Sequence, residues 1–239
     1  MKTKCYAKLN LALDILGRDS TGFHEIQTVF YEYKEIYDEI AVHESEGEGI
    51  SIEYTGKYEV ASNHTNSCYQ AARLMQKLAK RKEGLHIELR KNIPIGAGLA
   101  GGSSNAAAVL KMINEIWDLN WSKTRLAEIG SKIGMDVPFF IYGGTALGTH
   151  YGEVIEQLPR MPELDIVVEW PEKTSPTKEA YKIVDIYECG KNADKTKELI
   201  KGVKAKDKEL IIKNIQNDFD LLLHRKTKFL KMHKLDYAK

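Results

Sequence analysis

The sequence predicts an α/β protein, with strands and helices in two layers (α+β), built as two domains over residues 1–157 and 158–239. Three observations lead there. Apolar side chains at every second position from Cys5 to Ile15 mark a strand. Apolar side chains at helical spacing, Ala71, Leu74, Met75, Leu78 and Ala79, mark an amphipathic helix. From about Leu158 the composition changes, which sets the second domain apart.

The 239 residues suffice for one large domain or two small ones. Apolar residues make up 43% and charged residues 29%, the balance of a globular protein. A net charge of +1 gives no reason to expect nucleic acid or an anionic membrane as partner, and the lysines of the C-terminal third read as a solvated face. No apolar run approaches a membrane span, and the first residues lack the core of a signal peptide. Cys5, Cys68 and Cys189 are odd in number and far apart, with neither zinc spacing nor a disulfide framework, so a cytoplasmic setting is expected. Nothing in the sequence speaks to oligomeric state.

In chain order, residues 1–16 form the alternating strand. Cys5, Ala7, Leu9, Leu11, Leu13 and Ile15 face the core; Lys4, Tyr6, Lys8, Asn10, Ala12 and Asp14 face away. A turn of Gly, Arg, Asp, Ser and Thr follows at 17–22. Further strands are expected at 36–42 and 50–54, turned by Gly47 and Gly49. Residues 63–82 read as a helix with Asn63, Thr65 and Asn66 as caps and Gly84 after its end. Residues 85–91 alternate again, with Leu85, Ile87 and Leu89 inward. Ser122 caps another helix that ends at Gly134. A buried-type strand is expected at 164–170, and Ser175 with Pro176 opens a helix.

Between the strand at 85–91 and an alanine-rich helix lies Pro94-Ile95-Gly96-Ala97-Gly98-Leu99-Ala100-Gly101-Gly102-Ser103-Ser104-Asn105. Four glycines in seven residues let the backbone approach a ligand, and Ser103 or Ser104 is placed to cap the helix. Free N–H groups at a helix N-terminus suit a phosphate. The glycines satisfy G-x-G-x-x-G, but Asn92 and Pro94 stand where the dinucleotide fingerprint needs a buried strand. No lysine precedes Ser103 as in a Walker loop, and no protein-kinase H-R-D or D-F-G segment occurs. The local residues alone leave open a tight strand-to-helix turn.

The whole string resembles the phosphate loop of the kinases named after galactokinase, homoserine kinase, mevalonate kinase and phosphomevalonate kinase. Within that superfamily it is most similar to the family that acts on 4-diphosphocytidyl-2-C-methyl-D-erythritol. Ala7-Lys8-Leu9-Asn10 matches that family's A-K-x-N, Gly22-Phe23-His24 its G-Y-H, and Gly134-Met135-Asp136-Val137-Pro138-Phe139-Phe140 its G-x-D-V-P-F-F. Thr174 to Tyr181 resembles its S-T-x-x-x-[YF] segment, and Asn217-Asp218-Phe219-Asp220 its N-D-L-E, there on a helix.

The resemblance implies a first domain like ribosomal protein S5 and a ferredoxin-like second domain. It implies ATP with Mg²⁺, transfer of a phosphoryl group to the 2-hydroxyl of the diphosphocytidyl compound, and a place in non-mevalonate isoprenoid synthesis. Lys8 and Asp136 are the implied catalytic pair. The loop from Pro94 to Ser104 is the implied ATP site, with Lys91 and Asn66 beside it; for Asn66 a plain helix cap stays open. Asn10, Phe23, His24, Thr177 and Tyr181 are the implied substrate contacts, the two aromatics enclosing the cytosine. No metal ligand is marked, Ser103 and Ser104 being candidates. The match runs over about residues 4–223 and lacks the family's third, S-G-S-G-type motif, so an incomplete second domain is expected. Two rivals remain: another small-molecule kinase of the superfamily, and a nucleotide-binding remnant.

Overall fold

The computed structural model describes residues 1–164, 166–168, 190, 192–219 and 230–231. They fall into two compact units. The first holds 1–9, 31–144 and 152–155, and the second 10–30, 145–151 and the chain from 156 onward. Two long strands, β1 (Lys2–Arg18) and β2 (His24–Ser45), contribute to both.

In the first unit the strand order is β3 (Ile50–Gly56), β4 (Gly84–Lys91), β2, β1. β3 runs parallel to β4, and β4 antiparallel to β2 with Ile87 opposite Val42 and Leu89 opposite Ile40. These four side chains and Leu85 are buried, as the alternation of 85–91 requires. A parallel pair needs a crossover, here α1 (Ser67–Ala79). Asn66 caps it, its Oδ1 accepting the Cys68 N–H at 2.8 Å. The helix ends at Lys80 in the left-handed region (φ 54°), ahead of the expected Gly84. Gly84 instead opens β4, where a Cβ would stand 2.7 Å from Ser45 Oγ. Helix α2 (Gly101–Ile116) packs on α1, and α4 (Val137–Tyr142) packs on α2 and α3 (Lys123–Ser131). Ser122 Oγ caps α3 as expected, accepting the Arg125 N–H at 3.2 Å.

In the second unit β5 (Thr145–Thr149) pairs with β2 and β6 (Val154–Gln157), while β7 (Val167–Val168) pairs antiparallel with β9 (Leu230–Lys231). Helices α5 (Ala193–Ala205) and α6 (Lys208–Lys213) pack together, and β8 (Gln216–Asn217) lies parallel to β1 with Gln216 opposite Ala12. Leu13, Ile15 and Ile26 form a small core against Phe219.

Several expectations are corrected. The strand foreseen at 36–42 is part of the 22-residue β2. The polar face of β1 does not point away from the core: Lys8, Ala12 and Asp14 are buried. Asp14 is covered by Thr196 of α5 and Gln216 of β8, which donate to its two oxygens at 2.5 Å each. Of the strand expected at 164–170 only Val167 and Val168 are in strand; 165, 169 and 170 lie outside the described residues. Asn217 ends a strand, and the helical turn starts at Asp218. Among the described residues no helix is long and apolar enough to cross a membrane.

Candidate active site

The glycine loop has a backbone of alternating hand. Gly96 (φ 73°), Gly98 (φ 75°) and Ala100 (φ 52°) lie in the left-handed region, and Ala97 and Leu99 between them do not. Such alternation turns successive N–H groups into one concavity, a nest for an anion. Ala97 and Leu99 are buried and anchor the loop, whereas Gly96 and Gly98 are exposed, so the nest is open to solvent. Helix α2 starts at Gly101, with Ala100 as N-cap and no side-chain cap bond. Ser103 and Ser104 therefore stand inside the first turn rather than capping it. Gly101 is required by packing, since a Cβ there would come within 2.7 Å of Lys91 Nζ and 2.9 Å of Ile93 Cγ2.

Beneath the loop lies a buried carboxylate absent from the sequence-based site. Asp38 of β2 is fully buried. Its Oδ1 accepts the backbone N–H groups of Asn92 (2.7 Å) and Ile93 (2.8 Å), where the chain enters the loop. Its Oδ2 accepts from Lys91 Nζ (2.5 Å) and from Asn105 Nδ2 (3.0 Å), where the chain leaves it. One side chain thus ties both ends of the loop. The Lys91 side chain is only 4% exposed, so its ammonium faces Asp38 and the underside of Gly101 rather than solvent. A signal for Asp38 was present: it shares the period-two face of Ile40 and Val42, where a charge stays buried only with partners. The Asn66 amide is engaged at both ends, its Nδ2 donating to Ala61 O at 2.6 Å, which is the geometry of a cap.

Lys8 and Asp136 are brought together. The backbone N–H of Lys8 donates to Leu99 O of the loop at 3.1 Å, which fixes β1 alongside it. Lys8 Nζ stands 3.8 Å from Asp136 Oδ2. The Lys8 side chain is 8% exposed and that of Asp136 34%, so the carboxylate is the reachable member of the pair. Asp136 stands at the N-cap position of α4, yet its side chain makes no cap bond. Ser103 faces the turn ahead of α4: a Cβ on Gly134, two residues before Asp136, would lie 3.6 Å from Ser103 Oγ. Among the described residues no group of three His, Cys, Asp or Glu side chains is placed to hold a metal ion. The thiols of Cys5 and Cys68 are buried and free, and burial raises both, Cys5 to about 12, so neither is a nucleophile near neutrality.

The remaining implied contacts lie in the second unit. Asn10 Nδ2 donates to Thr28 Oγ1 at 2.7 Å, and that hydroxyl donates to Ala12 O. Phe23 ends the β1–β2 turn and is 58% exposed, while His24 starts β2. The turn is closed by Asp19, whose Oδ1 accepts the N–H groups of Thr21 and Phe23 and the Thr21 hydroxyl. Its other oxygen accepts the hydroxyl of Tyr151, from the turn between β5 and β6. The Thr21 hydroxyl first and the Tyr151 hydroxyl second hold the Asp19 carboxyl well below the usual carboxylate range. The Phe23 and Tyr151 rings are 5.3 Å apart at 41°, and His150 lies 3.8 Å from Tyr151. Thr177 and Tyr181 fall outside the described residues.

Residues 66–144, which include the glycine loop and Asp136, match the GHMP kinases N terminal domain, the class named after galactokinase, homoserine kinase, mevalonate kinase and phosphomevalonate kinase. A 4-diphosphocytidyl-2-C-methyl-D-erythritol kinase of Caldicellulosiruptor bescii is 38% identical over 222 residues, 93% of this chain and 77% of that protein. One of Clostridium perfringens is 38% identical over 239 residues, 100% of this chain and 82% of that protein. The chain belongs to the 4-diphosphocytidyl-2-C-methyl-D-erythritol kinase family. A crystal structure of a 4-(cytidine 5'-diphospho)-2C-methyl-D-erythritol kinase superposes with a TM-score of 0.68 at 29% identity, covering 86% of this chain and 72% of that one. Homoserine kinase from Cytophaga hutchinsonii, at a TM-score of 0.71 and 18% identity over 91% of this chain and 71% of that one, shares the mixed α/β fold.

Proposed function

We propose that this chain transfers the terminal phosphoryl group of ATP to the 2-hydroxyl of 4-diphosphocytidyl-2-C-methyl-D-erythritol, a step of non-mevalonate isoprenoid synthesis. The observation that carries the reading is the Lys8–Asp136 pair at 3.8 Å, with the Lys8 backbone bonded to the glycine loop. Phosphoryl transfer asks chiefly for positioning and charge stabilisation. In this reading the nest from Pro94 to Ser104 holds the ATP phosphates through backbone N–H groups. The one-third-exposed Asp136 carboxylate takes the proton of the acceptor hydroxyl as its oxygen bonds to phosphorus and ADP leaves. The Lys8 ammonium lowers the barrier by stabilising the alkoxide and the transferring phosphoryl group.

Mg²⁺ bound with ATP would supply neutralisation of the phosphate charge. Such an ion usually takes one or two protein oxygens beside phosphate oxygens, and the Ser103 hydroxyl, in the first turn of α2, and the partly exposed Asp136 carboxylate would be the oxygens to hold it. Phe23, His24 and Asn10 are assigned to the acceptor, together with Thr177 and Tyr181. Lys91 then serves the nucleotide site through Asp38, which holds the loop backbone, and Asn66 through the cap it makes on α1. The reading includes an S5-like catalytic domain over 1–157, a ferredoxin-like substrate-side domain over 158–239, and a cytoplasmic setting.

The test is ADP release by the purified chain with MgATP and, in separate reactions, the diphosphocytidyl compound, homoserine and mevalonate. ADP is expected with the first acceptor alone. Equal turnover of homoserine or mevalonate, or none of the diphosphocytidyl compound, would sink the proposal.

A further inference from the structure

Phe23 is the most exposed large apolar side chain of the described residues, 58% exposed in a turn. An aromatic ring left to rotate in solvent makes a poor stacking surface, because immobilising it costs entropy at the moment of binding. The turn is not loose, however. Asp19 accepts the Phe23 N–H at 3.1 Å, and Arg18 Nε donates to Gly22 O at 2.9 Å, so the backbone on both sides of the ring is tied. The ring itself is met by a second element. Tyr151 packs against it with the centroids 5.3 Å apart, and the Tyr151 hydroxyl donates to Asp19, the residue that closes the Phe23 turn. Tyr151 is in turn flanked by His150, whose carbonyl accepts the Ile26 N–H of β2 at 2.7 Å. Backbone bond, ring contact and hydroxyl bond together hold Phe23 in one orientation.

We propose that Tyr151 is a positioning residue for the base-binding platform: it holds the exposed Phe23 ring, through ring packing and through Asp19, in the pose that stacks on the pyrimidine base of the acceptor. The proposal rests on the reading above that Phe23 faces the cytosine. It gives Tyr151, in the turn between β5 and β6, a role toward Phe23 and makes acceptor affinity depend on that turn. Asp19 acts as the clip between the two turns.

The test measures KM for the diphosphocytidyl acceptor, KM for ATP, and Kd for cytidine diphosphate by calorimetry, on the full chain. An aromatic pair corresponds to about a 2- to 12-fold change in affinity. Tyr151→Ala is expected to raise acceptor KM and the Kd for cytidine diphosphate by about that factor and to leave KM for ATP unchanged. Because Tyr151 acts through Phe23, the same change in a Phe23→Ala background is expected to add nothing. Tyr151→Phe keeps the ring and loses the bond to Asp19, so its Kd should lie between wild type and Tyr151→Ala. An unchanged Kd in Tyr151→Ala, or an equal loss with and without Phe23, would overturn the proposal. Should Tyr151→Ala not fold, Tyr151→Phe decides, and a wild-type Kd in it overturns the clip. Failure of the wild-type chain to phosphorylate the acceptor speaks against the proposed function, whereas the cytidine diphosphate titrations test Tyr151 in either case.

Discussion

Replacing Asp38 by alanine strips the acceptor from four donors at once: Lys91 Nζ, Asn105 Nδ2 and the N–H groups of Asn92 and Ile93. With Asp38 fully buried and the Lys91 side chain 4% exposed, water cannot replace what is lost. Leaving one member of a buried pair uncompensated costs about 3–5 kcal/mol. Each orphaned buried N–H would cost about 1–3 kcal/mol alone, but these overlap with the charge effect, so the larger figure stands for the whole. In a chain of this size 1 kcal/mol moves Tm by roughly 2–4 °C, so Asp38→Ala should lower Tm by about 6–20 °C. The reference is the double variant Asp38→Asn with Lys91→Met. It removes both charges, keeps an acceptor for Asn92 and Ile93, and lets Asn105 turn its amide oxygen to the new NH₂ group. Coupling between touching residues runs at about 0.5–3 kcal/mol, so the double variant should be more stable than Asp38→Ala. Thermal melts read both, and titration with ATP reads the loop: Asp38→Ala should weaken ATP binding more than acceptor binding. A Tm drop under about 2 °C for Asp38→Ala would refute the reasoning, because a desolvated hub cannot be removed so lightly.

The proposed catalytic pair, Lys8 and Asp136, gives a second expectation. Asp136→Asn should lower kcat by about 10²–10⁴, the range for a general base, with ATP affinity retained, and Lys8→Met should lower kcat with ATP binding intact; a variant with near-normal turnover would take that residue out of the chemistry. A third concerns pH. Burial raises the Asp14 carboxyl above its ordinary value, against the opposing bond from Thr196. A raised carboxyl binds its proton more tightly folded than unfolded, so this group's contribution improves as pH falls from neutrality toward about 4 and worsens as pH rises. Asp14→Asn should flatten that slope in urea-midpoint measurements and cost little at neutral pH. Gln216 Oε1, buried without a partner among the described residues, accepts from the new amide once the Gln216 amide turns over. A steeper slope in Asp14→Asn would reverse the sign of the argument.

What the sequence disclosed follows the range of the physics. Local rules located β4, α3 and the core of α1, because period-two alternation, a serine cap and an apolar stripe each act within a few residues. The same rules misplaced the start of α2. Ala100 takes the left-handed conformation that local preference would give to a glycine, and it does so where the buried Leu99 and the packed Gly101 leave the chain little choice. They also misjudged β1. Alternation distinguishes two faces but cannot tell a solvated face from one covered by a remote segment, and the partners of Asp14 lie about two hundred residues away at Thr196 and Gln216.

The site divides along the same line. The groups that the proposed reading sets against a ligand are exposed and carry motifs, as Phe23, Gly96 and Gly98 do. Groups that hold those in place are buried or paired, and pairing is a property of the fold. Asp38 and Lys91 show the difference. Lys91, next to the loop, reads as a phosphate ligand, yet its ammonium is beneath the backbone it supports. Asp38, more than fifty residues earlier, reads as an ordinary strand residue, yet it holds both ends of the nest. The reason is energetic. A phosphate nest works through N–H groups already aimed, and aiming them requires a rigid backbone. Here the rigidity comes from a buried charge whose four donors leave it one arrangement. The Lys91 ammonium, held 2.5 Å from the fully buried Asp38 carboxylate, cannot also meet solvent, so in the proposed reading this loop leaves the anion to the backbone dipoles.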